Sequence, residues 1–440
     1  MKHEQMQAIK DAVKGVVRVD SEKLFFYNRS SRCWTTHKRN SAAMALQRVL
    51  AELKMARISG ADAKAVLGDI LCDPDFERPL IKVPPNLINL KNGVLDLDSG
   101  EFIEGDNAAD FRFQLDFEYR KEVKLMHCKA FLKYLRVAFD LSEDMQAATV
   151  EVQPSVVRLL EFFGYLVSNE TRAKKMMIIL GPPNSGKSQL LELLRRVIGE
   201  TVALNLDELN GRSGGQFRTE LLRRAHALIN DELPTKGLKG LDELKKTIAG
   251  EYMTVEAKRE DPGTMKNTAK LIFAGNQLPV LAEPDAGGAF SSRLCVVKLL
   301  KAPPVNKRNI DLVDQFYDER NEIFSLAVDL FRKMRGRARA LTFSPDAVGD
   351  GVVVAYAADN DSVATFVHES GIVKQGGESS TTTLFALYSE YCDQVALKPI
   401  SDIKIFRSQL LSLPEVCEIK KKRLNGRPMS AVVGLSIVGN

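Results

Sequence analysis

The octapeptide Gly181-Pro182-Pro183-Asn184-Ser185-Gly186-Lys187-Ser188 fits G-x-x-x-x-G-K-[ST]. Such a loop cradles phosphates: its backbone N–H groups and the start of the following helix present positive dipole ends. Lys187 is expected to reach the β- and γ-phosphates, and Ser188 to ligate Mg²⁺. The flanks suit that chemistry. An apolar run, Met176–Leu180, precedes the loop, and a helical pattern, Gln189–Arg196, follows it.

A phosphate loop that hydrolyses needs an acid on a second strand. Ala225-His226-Ala227-Leu228-Ile229-Asn230-Asp231-Glu232 is an apolar run ending in two carboxylates. Asp231 is expected in the Mg²⁺ shell and Glu232 to polarise the attacking water, with the order of the two roles open. A third run, Leu271–Ala274, ends in Gly275-Asn276-Gln277-Leu278-Pro279. Asn276 would then lie between the loop strand and the acidic strand, where it could orient the lytic water.

Cations form a second group. Lys258 and Arg259 follow a strand-like stretch, 252–257, and two cations at a hairpin tip suit phosphate contacts. Arg293 precedes the apolar run Leu294–Leu299 and could cross a subunit boundary to a neighbour's γ-phosphate; Arg223 and Arg224 are the rival cations. Near the end, Lys404 and Arg407 lie in a helical pattern, and Lys420, Lys421, Lys422 and Arg423 precede an Asn425-Gly426 turn. A helix followed by a basic hairpin suits DNA contact, although a charge run is commonly a solvated face. The run Arg332–Arg339 and the aromatics Phe25, Phe26, Tyr27 and Trp34, interleaved with arginines, raise the same question.

These residues need elements to position them. Apolar runs at 176–180, 201–204, 225–229, 271–274 and 294–299 alternate with helical stretches, which predicts βα units and a largely parallel sheet. Residues 86–104 alternate around Asn92-Gly93 and predict a hairpin, with Asp96 and Asp98 at its second turn. Residues 129–168 are helical. Residues 346–360, rich in Gly, Asp and Ala, look like a linker. Residues 361–440 predict three helices and a hairpin, the order of a winged helix.

The whole chain has 440 residues, 45% of them hydrophobic and 27% charged, an ordinary globular balance that excludes a disordered or collagen-like chain. The net charge of +5 permits a nucleic-acid partner without arguing for one, so any basic surface must be local. The six cysteines form no C-x-x-C pair, which predicts reduced thiols and no zinc site. No run approaches the roughly 18 apolar residues of a membrane span. A cytoplasmic setting, that of a bacterial host, is expected.

Taken together, the loop, the paired acids and the strand-terminal Asn276 resemble superfamily 3 helicases. The chain is most similar to their phage/plasmid primase–helicase group, which also contains the poxvirus primase-helicase. Asn92-Gly93-Val94-Leu95-Asp96-Leu97 is similar to that group's accessory-domain signature, Lys246–Lys258 to its DNA-contacting motif, Gly275–Pro279 to its sensor motif, and Phe290–Arg293 to its arginine-finger segment. The resemblance implies an α/β fold with a P-loop, AAA+-like core on a parallel sheet. The organisation expected is an accessory domain over 1–125, a helical oligomerisation segment over 126–170, the ATPase core over 171–345, a linker over 346–360 and a winged-helix-like domain over 361–440.

It further implies ATP and Mg²⁺, single-stranded and duplex DNA, a homo-oligomeric ring, expected to be a hexamer, and 3′→5′ translocation with Lys258 in the pore. Residues 1–85 are too short for the primase domain many relatives carry, so a separate primase or polymerase is expected as a partner. Two other functions compete. One is an origin-melting or remodelling ATPase without processive unwinding, which has no need of a pore lysine. The other is a DNA-binding regulator switched by nucleotide, which has no need of a water-activating acid.

Overall fold

A computed structural model describes all residues except 1, 21–22, 38, 106–108, 210–220, 224, 235–236, 256–262, 283–284, 286–287, 338–340, 396–398, 425–426 and 439–440. The first 80 residues build a small unit with its own core. Helix His3–Val13 leads into an antiparallel sheet of β1 (Val17–Asp20), β2 (Lys23–Asn28) and β3 (Cys33–Thr36). Helices Arg39–Glu52 and Gly60–Leu71 cover it, and the shared core runs from Ile9 to Phe76.

The predicted hairpin follows as β4 (Leu87–Leu90) and β5 (Gly93–Asp96), with β6 (Phe102–Glu104) added to its edge. Its apolar face, Ile88, Leu90, Leu95 and Leu97, does not join the N-terminal core. It shares a core with the helices and sheet further along the chain. A two-sided hairpin has to be covered on both faces, and Val94 on the other face packs against Cys33 and Phe111. Asp96 and Asp98 do sit at the turn. Asp96 Oδ1 accepts from Asn86 Nδ2 (2.9 Å) and from the Asp98 N–H (2.8 Å).

The expected helical segment contains helices Lys129–Ala138, Ala147–Glu151 and Pro154–Val167. Every residue from Arg158 to Val167 is buried, and Pro154–Val167 packs against helix Arg320–Arg337 of the same chain. Its own chain encloses that helix.

The main sheet is parallel throughout. Its strands are β7 (Met176–Leu180), β8 (Thr201–Val202), β9 (Ala227–Asn230), β12 (Lys270–Gly275) and β13 (Leu294–Lys298). They lie in the order β13-β7-β12-β9-β8. These are the five apolar runs of the sequence. Helices cover both faces, which is why the strands read as continuous apolar stretches. A separate hairpin, β10 (Tyr252–Val255) with β11 (Gly263–Lys266), projects between β9 and β12 in the chain.

Residues 346–360 are a helix, Ala347–Asn360, rather than a linker. The Asp346 side chain caps it by accepting from the Val348 N–H (3.2 Å). The helix lies on β13 so closely that a Cβ on Gly349 would stand 2.1 Å from the Val296 carbonyl oxygen. The small residues that resembled a linker permit this approach.

The C-terminal unit has its own core, from Val363 to Leu435. Helices Ser362–Glu369, Thr381–Gln394 and Ile403–Leu410 appear as predicted, as does the hairpin of β15 (Glu418–Leu424) and β16 (Arg427–Ile437). An additional strand, β14 (Val373–Ser380), follows the first helix and pairs with β16, giving the order β14-β16-β15. β14 sits at a sheet edge with a register shift between Gln375 and Glu378, and it lacks the alternation that would have marked it. Among the described residues no helix is long and apolar enough to cross a membrane.

Candidate nucleotide site and nucleic-acid surfaces

β7 is buried along its whole length and delivers the chain at the carboxyl edge of the sheet, where open α/β sheets bind ligands. The loop then turns through two left-handed residues, Asn184 (φ 63°) and Gly186 (φ 87°). Gly186 is also the N-cap of helix Lys187–Ile198, and a Cβ there would stand 2.6 Å from the Tyr134 ring. A glycine is required on both counts: for the backbone angle and for the aromatic wall behind it.

The result is a set of backbone N–H groups, from Asn184, Gly186, Lys187 and Ser188, at a helix N-terminus. Ser185 Oγ, buried beside it, has no hydrogen-bond partner. Lys187 Nζ donates to the carbonyls of Gly181 (2.7 Å) and Pro182 (2.8 Å) and to Asn276 Oδ1 (3.1 Å). Partial burial lowers the Lys187 pKa. Ser188 is exposed on the first turn of the helix. This donor set suits a polyphosphate: the N–H groups of Asn184, Gly186, Lys187 and Ser188, one ammonium, the Ser185 and Ser188 hydroxyls, and no carboxylate within the loop.

β12 pairs with β7 on one side and β9 on the other. Gly275 is level with Leu180, so Asn276 follows beside Gly181. Asp231 and Glu232 follow β9 at the same edge, both exposed. The Glu232 N–H donates to Asn230 Oδ1 (2.9 Å), and Asn230 Nδ2 donates to Asn205 Oδ1 (3.0 Å), which fixes the start of the acidic turn. Lys187 and Asn276 thus touch, while the two acids stand one strand away with their carboxylates toward solvent.

Beside the loop lies a cleft of about 630 Å³, lined by Gly181, Pro182, Asn276, Lys298, Tyr356 and Asp359 among others. Tyr356 and Asp359 come from helix Ala347–Asn360, and Lys298 ends β13. No motif in the sequence marks any of the three. Lys298 closes an apolar strand much as Asn276 does, and that was the available signal.

Arg293 lies at the other edge. Leu294 is level with Met176 and Lys298 with Leu180. At about 3.3 Å per residue, Arg293 and Gly181 are roughly 20 Å apart along the strands. That is beyond an arginine's reach, so Arg293 does not serve its own phosphate loop. Its guanidinium Nη1 donates to the Ala289 carbonyl, and its Nε is buried without a partner. Arg223 is exposed ahead of β9, and Arg224 lies outside the described residues.

The cation clusters divide. Lys258 and Arg259 lie outside the described residues, while β10 and β11, on either side of them in the sequence, pair antiparallel. Lys404 is exposed and Arg407 half-buried on helix Ile403–Leu410. Lys420 is paired with Glu418 (2.8 Å) and Lys421 is exposed. Lys422 and Arg423 belong to β15, with side chains outside the described residues.

Of the run from 332 to 339, Arg332, Arg335 and Arg337 pair internally, while Arg339 lies outside the described residues. Arg335 pairs with Glu170 (2.8 Å) and Asp98, Arg337 with Glu161 (3.5 Å), and Arg332 with Asp329 (3.5 Å). Glu161 and Glu170 are buried carboxylates, and leaving them unpaired would be costly. Phe25, Phe26 and Trp34 are buried as well, with the Arg18 guanidinium 4.1 Å from the Trp34 ring centre, so they offer no stacking platform.

Residues 5–140 match the family described as D5 N terminal like, and residues 179–293 match a family of unknown function, DUF5906. The first span includes Asn92–Leu97, and the second runs from β7 to Arg293. No curated protein matches. Among solved structures, the apo structure of the NrS-1 C-terminal region is similar over 99% of this chain and 100% of that one, with 12% identity and a TM-score of 0.48. The A form apo structure of the same region covers 95% of this chain and 96% of that one, with 13% identity and a TM-score of 0.46.

Proposed function

We propose that this chain is an ATP-driven, ring-forming DNA helicase for the replication of a phage, plasmid or mobile element, with 3′→5′ polarity following from the resemblance. The match to the D5 N terminal like family supports a phage primase–helicase-like protein. The observation that carries the finer reading is the strand order: β12 lies between the loop strand and the acidic strand, and its terminal Asn276 is 3.1 Å from Lys187. A phosphate-binding cation, a water-orienting amide and a paired acid then line one edge of one sheet.

ATP is the substrate, and Mg²⁺ supplies positive charge against its phosphates when bound. Gly181 to Gly186 and the N–H groups of Lys187 and Ser188 hold the phosphates, while the Lys187 ammonium balances charge that develops on the leaving group. Ser188 and Asp231 hold the metal. Asn276 orients the water, and Glu232 takes its proton. Arg293, too far from its own loop, acts on the neighbouring subunit's site. Lys258 contacts the threaded strand, and Arg259 stands beside it. Lys404, Arg407 and the wing cations dock duplex DNA through a winged-helix-like domain; the helix–strand–helix–helix–hairpin order supports that reading.

ATP turnover measured with and without single-stranded DNA, followed by strand displacement on forks of each polarity, tests the proposal. DNA-stimulated turnover with unwinding from a 3′ tail is expected. Stimulated turnover without displacement would favour the origin-melting reading, and nucleotide binding without turnover would favour the switch.

A further inference from the structure

The segment that carries Arg293 is short. Ser291–Arg293 forms a single 3-10 turn between Gly288, whose φ is 62°, and β13. A turn of that length has little intrinsic stability, yet it must hold a guanidinium in a fixed place. One buried carboxylate organises it. Asp285 is 1% exposed; its Oδ1 accepts from the Phe290 N–H (2.7 Å), and its Oδ2 accepts from the Ser291 N–H (2.7 Å) and the Ser291 hydroxyl (2.6 Å).

The backbone of Asp285 is itself anchored. Its N–H donates to the carbonyl of Asn360, at the end of the helix that lines the nucleotide cleft (3.1 Å). On the far side of the turn, Lys175 Nζ donates to the carbonyls of Ser292 (2.6 Å) and Leu294 (3.4 Å), the residues flanking Arg293. The turn is therefore held on one side by a carboxylate and on the other by an ammonium, with Arg293 between them.

We propose that Asp285 is a positioning residue for Arg293: it fixes the turn that aims the guanidinium at the neighbouring subunit, so its loss disables the neighbour's site and spares its own. This rests on the reading of Arg293 as a cation acting in trans. Removing the carboxylate leaves two buried N–H groups and a hydroxyl without an acceptor, and the turn relaxes to recover partners. A displacement of about 1 Å in a positioning group can cost about a hundredfold in rate.

The test uses the full chain with Asp285→Ala and, as a milder change that retains one acceptor oxygen, Asp285→Asn. ATP affinity, measured by binding, is expected to stay within about twofold of wild type, which also reports an intact fold, while kcat falls toward about a hundredfold for Ala and less for Asn. Mixing Asp285→Ala with Lys187→Ala subunits is expected to restore turnover, as mixing Arg293→Ala with Lys187→Ala does. In an Arg293→Ala background, Asp285→Ala is expected to add no further loss.

A rise in KM at unchanged kcat, or failure to recover on mixing where Arg293→Ala recovers, overturns the role of Asp285 and leaves Arg293 in place. Loss of ATP binding in Asp285→Asn, the milder variant, also overturns it, because the residue would then serve the fold or its own site. Failure of Arg293→Ala itself to recover on mixing is a separate result, obtained without touching Asp285, and it removes both readings.

Discussion

The ammonium of Lys187 and the side-chain oxygen of Asn276 are 3.1 Å apart, joining the ends of two adjacent parallel strands across the carboxyl edge of the sheet. The same ammonium is held by the Gly181 and Pro182 carbonyls. Its acceptors among the described residues are all neutral, so the charge remains available for a phosphate.

Lys187→Ala should abolish ATP turnover and leave the fold intact. The residue is half-buried, and the strands behind it keep their full apolar core. Turnover assays beside thermal unfolding check both halves. Wild-type turnover in a folded variant would remove the phosphate-loop assignment.

Glu232→Gln should still bind ATP but hydrolyse it at least about a hundredfold more slowly, because an amide cannot accept the proton of water. Its backbone N–H stays bonded to Asn230, so the turn should survive the change. Equilibrium binding of ATP and single-turnover hydrolysis measure the two separately. Persistent hydrolysis here, with loss in Asp231→Asn, would exchange the two roles.

The parts of the candidate site are local, and so they can be read in the sequence. A buried strand reads as an apolar run, and the loop and acids follow their strands directly. What escaped depends on distant partners. Helix Ala347–Asn360 resembled a linker because its close approach to the Val296 carbonyl demands Gly349, and small residues also mark flexible chain. Arg335 and Arg337 read as a solvated basic run, whereas their partners Glu170 and Glu161 lie far back in the chain. Asp285 carried no signal at all, since three hydrogen bonds to the next turn look like nothing in one dimension.

Lys270 yields a pH prediction. It is buried at the start of β12, donates to the Ser168 carbonyl, and burial pushes its pKa from 10.5 down to about 7. Between pH 7 and 10.5 the unfolded chain therefore carries a proton that the folded chain lacks, so this residue makes stability rise with pH across that window. Below pH 7 both states are protonated and the cost to the fold is at its full value. Lys270→Met removes the titration. The stability difference, variant minus wild type, should shrink by about 1.4 kcal/mol per pH unit as pH rises from 7 toward 10. Urea unfolding at several pH values measures it, and a pH-independent difference would mean that Lys270 keeps its ordinary pKa in the fold.

The last prediction separates the pore hairpin from the wing. Lys258 follows β10 in the sequence, within a segment outside the described residues, whereas Lys420, Lys421 and Lys422 lie on β15 in a unit with its own core. A pore loop acts on a threaded strand, and a wing on a separate unit docks duplex outside the ring. Lys258→Ala should therefore remove unwinding while leaving basal ATPase and duplex affinity nearly intact. The triple variant Lys420→Ala, Lys421→Ala, Lys422→Ala should bind duplex more weakly. Its slope of log affinity against log salt should flatten by about one unit for each phosphate that is no longer neutralised. The full change would be about three units, but Lys420 already pairs with Glu418, so its share should be the smallest. The variant should still unwind a preloaded fork. Fluorescence titrations of duplex at several salt concentrations, beside fork displacement, supply both readouts. Equal loss of duplex affinity in Lys258→Ala would merge the two surfaces into one. An unchanged salt slope in the triple variant would make the wing charges a solvated face.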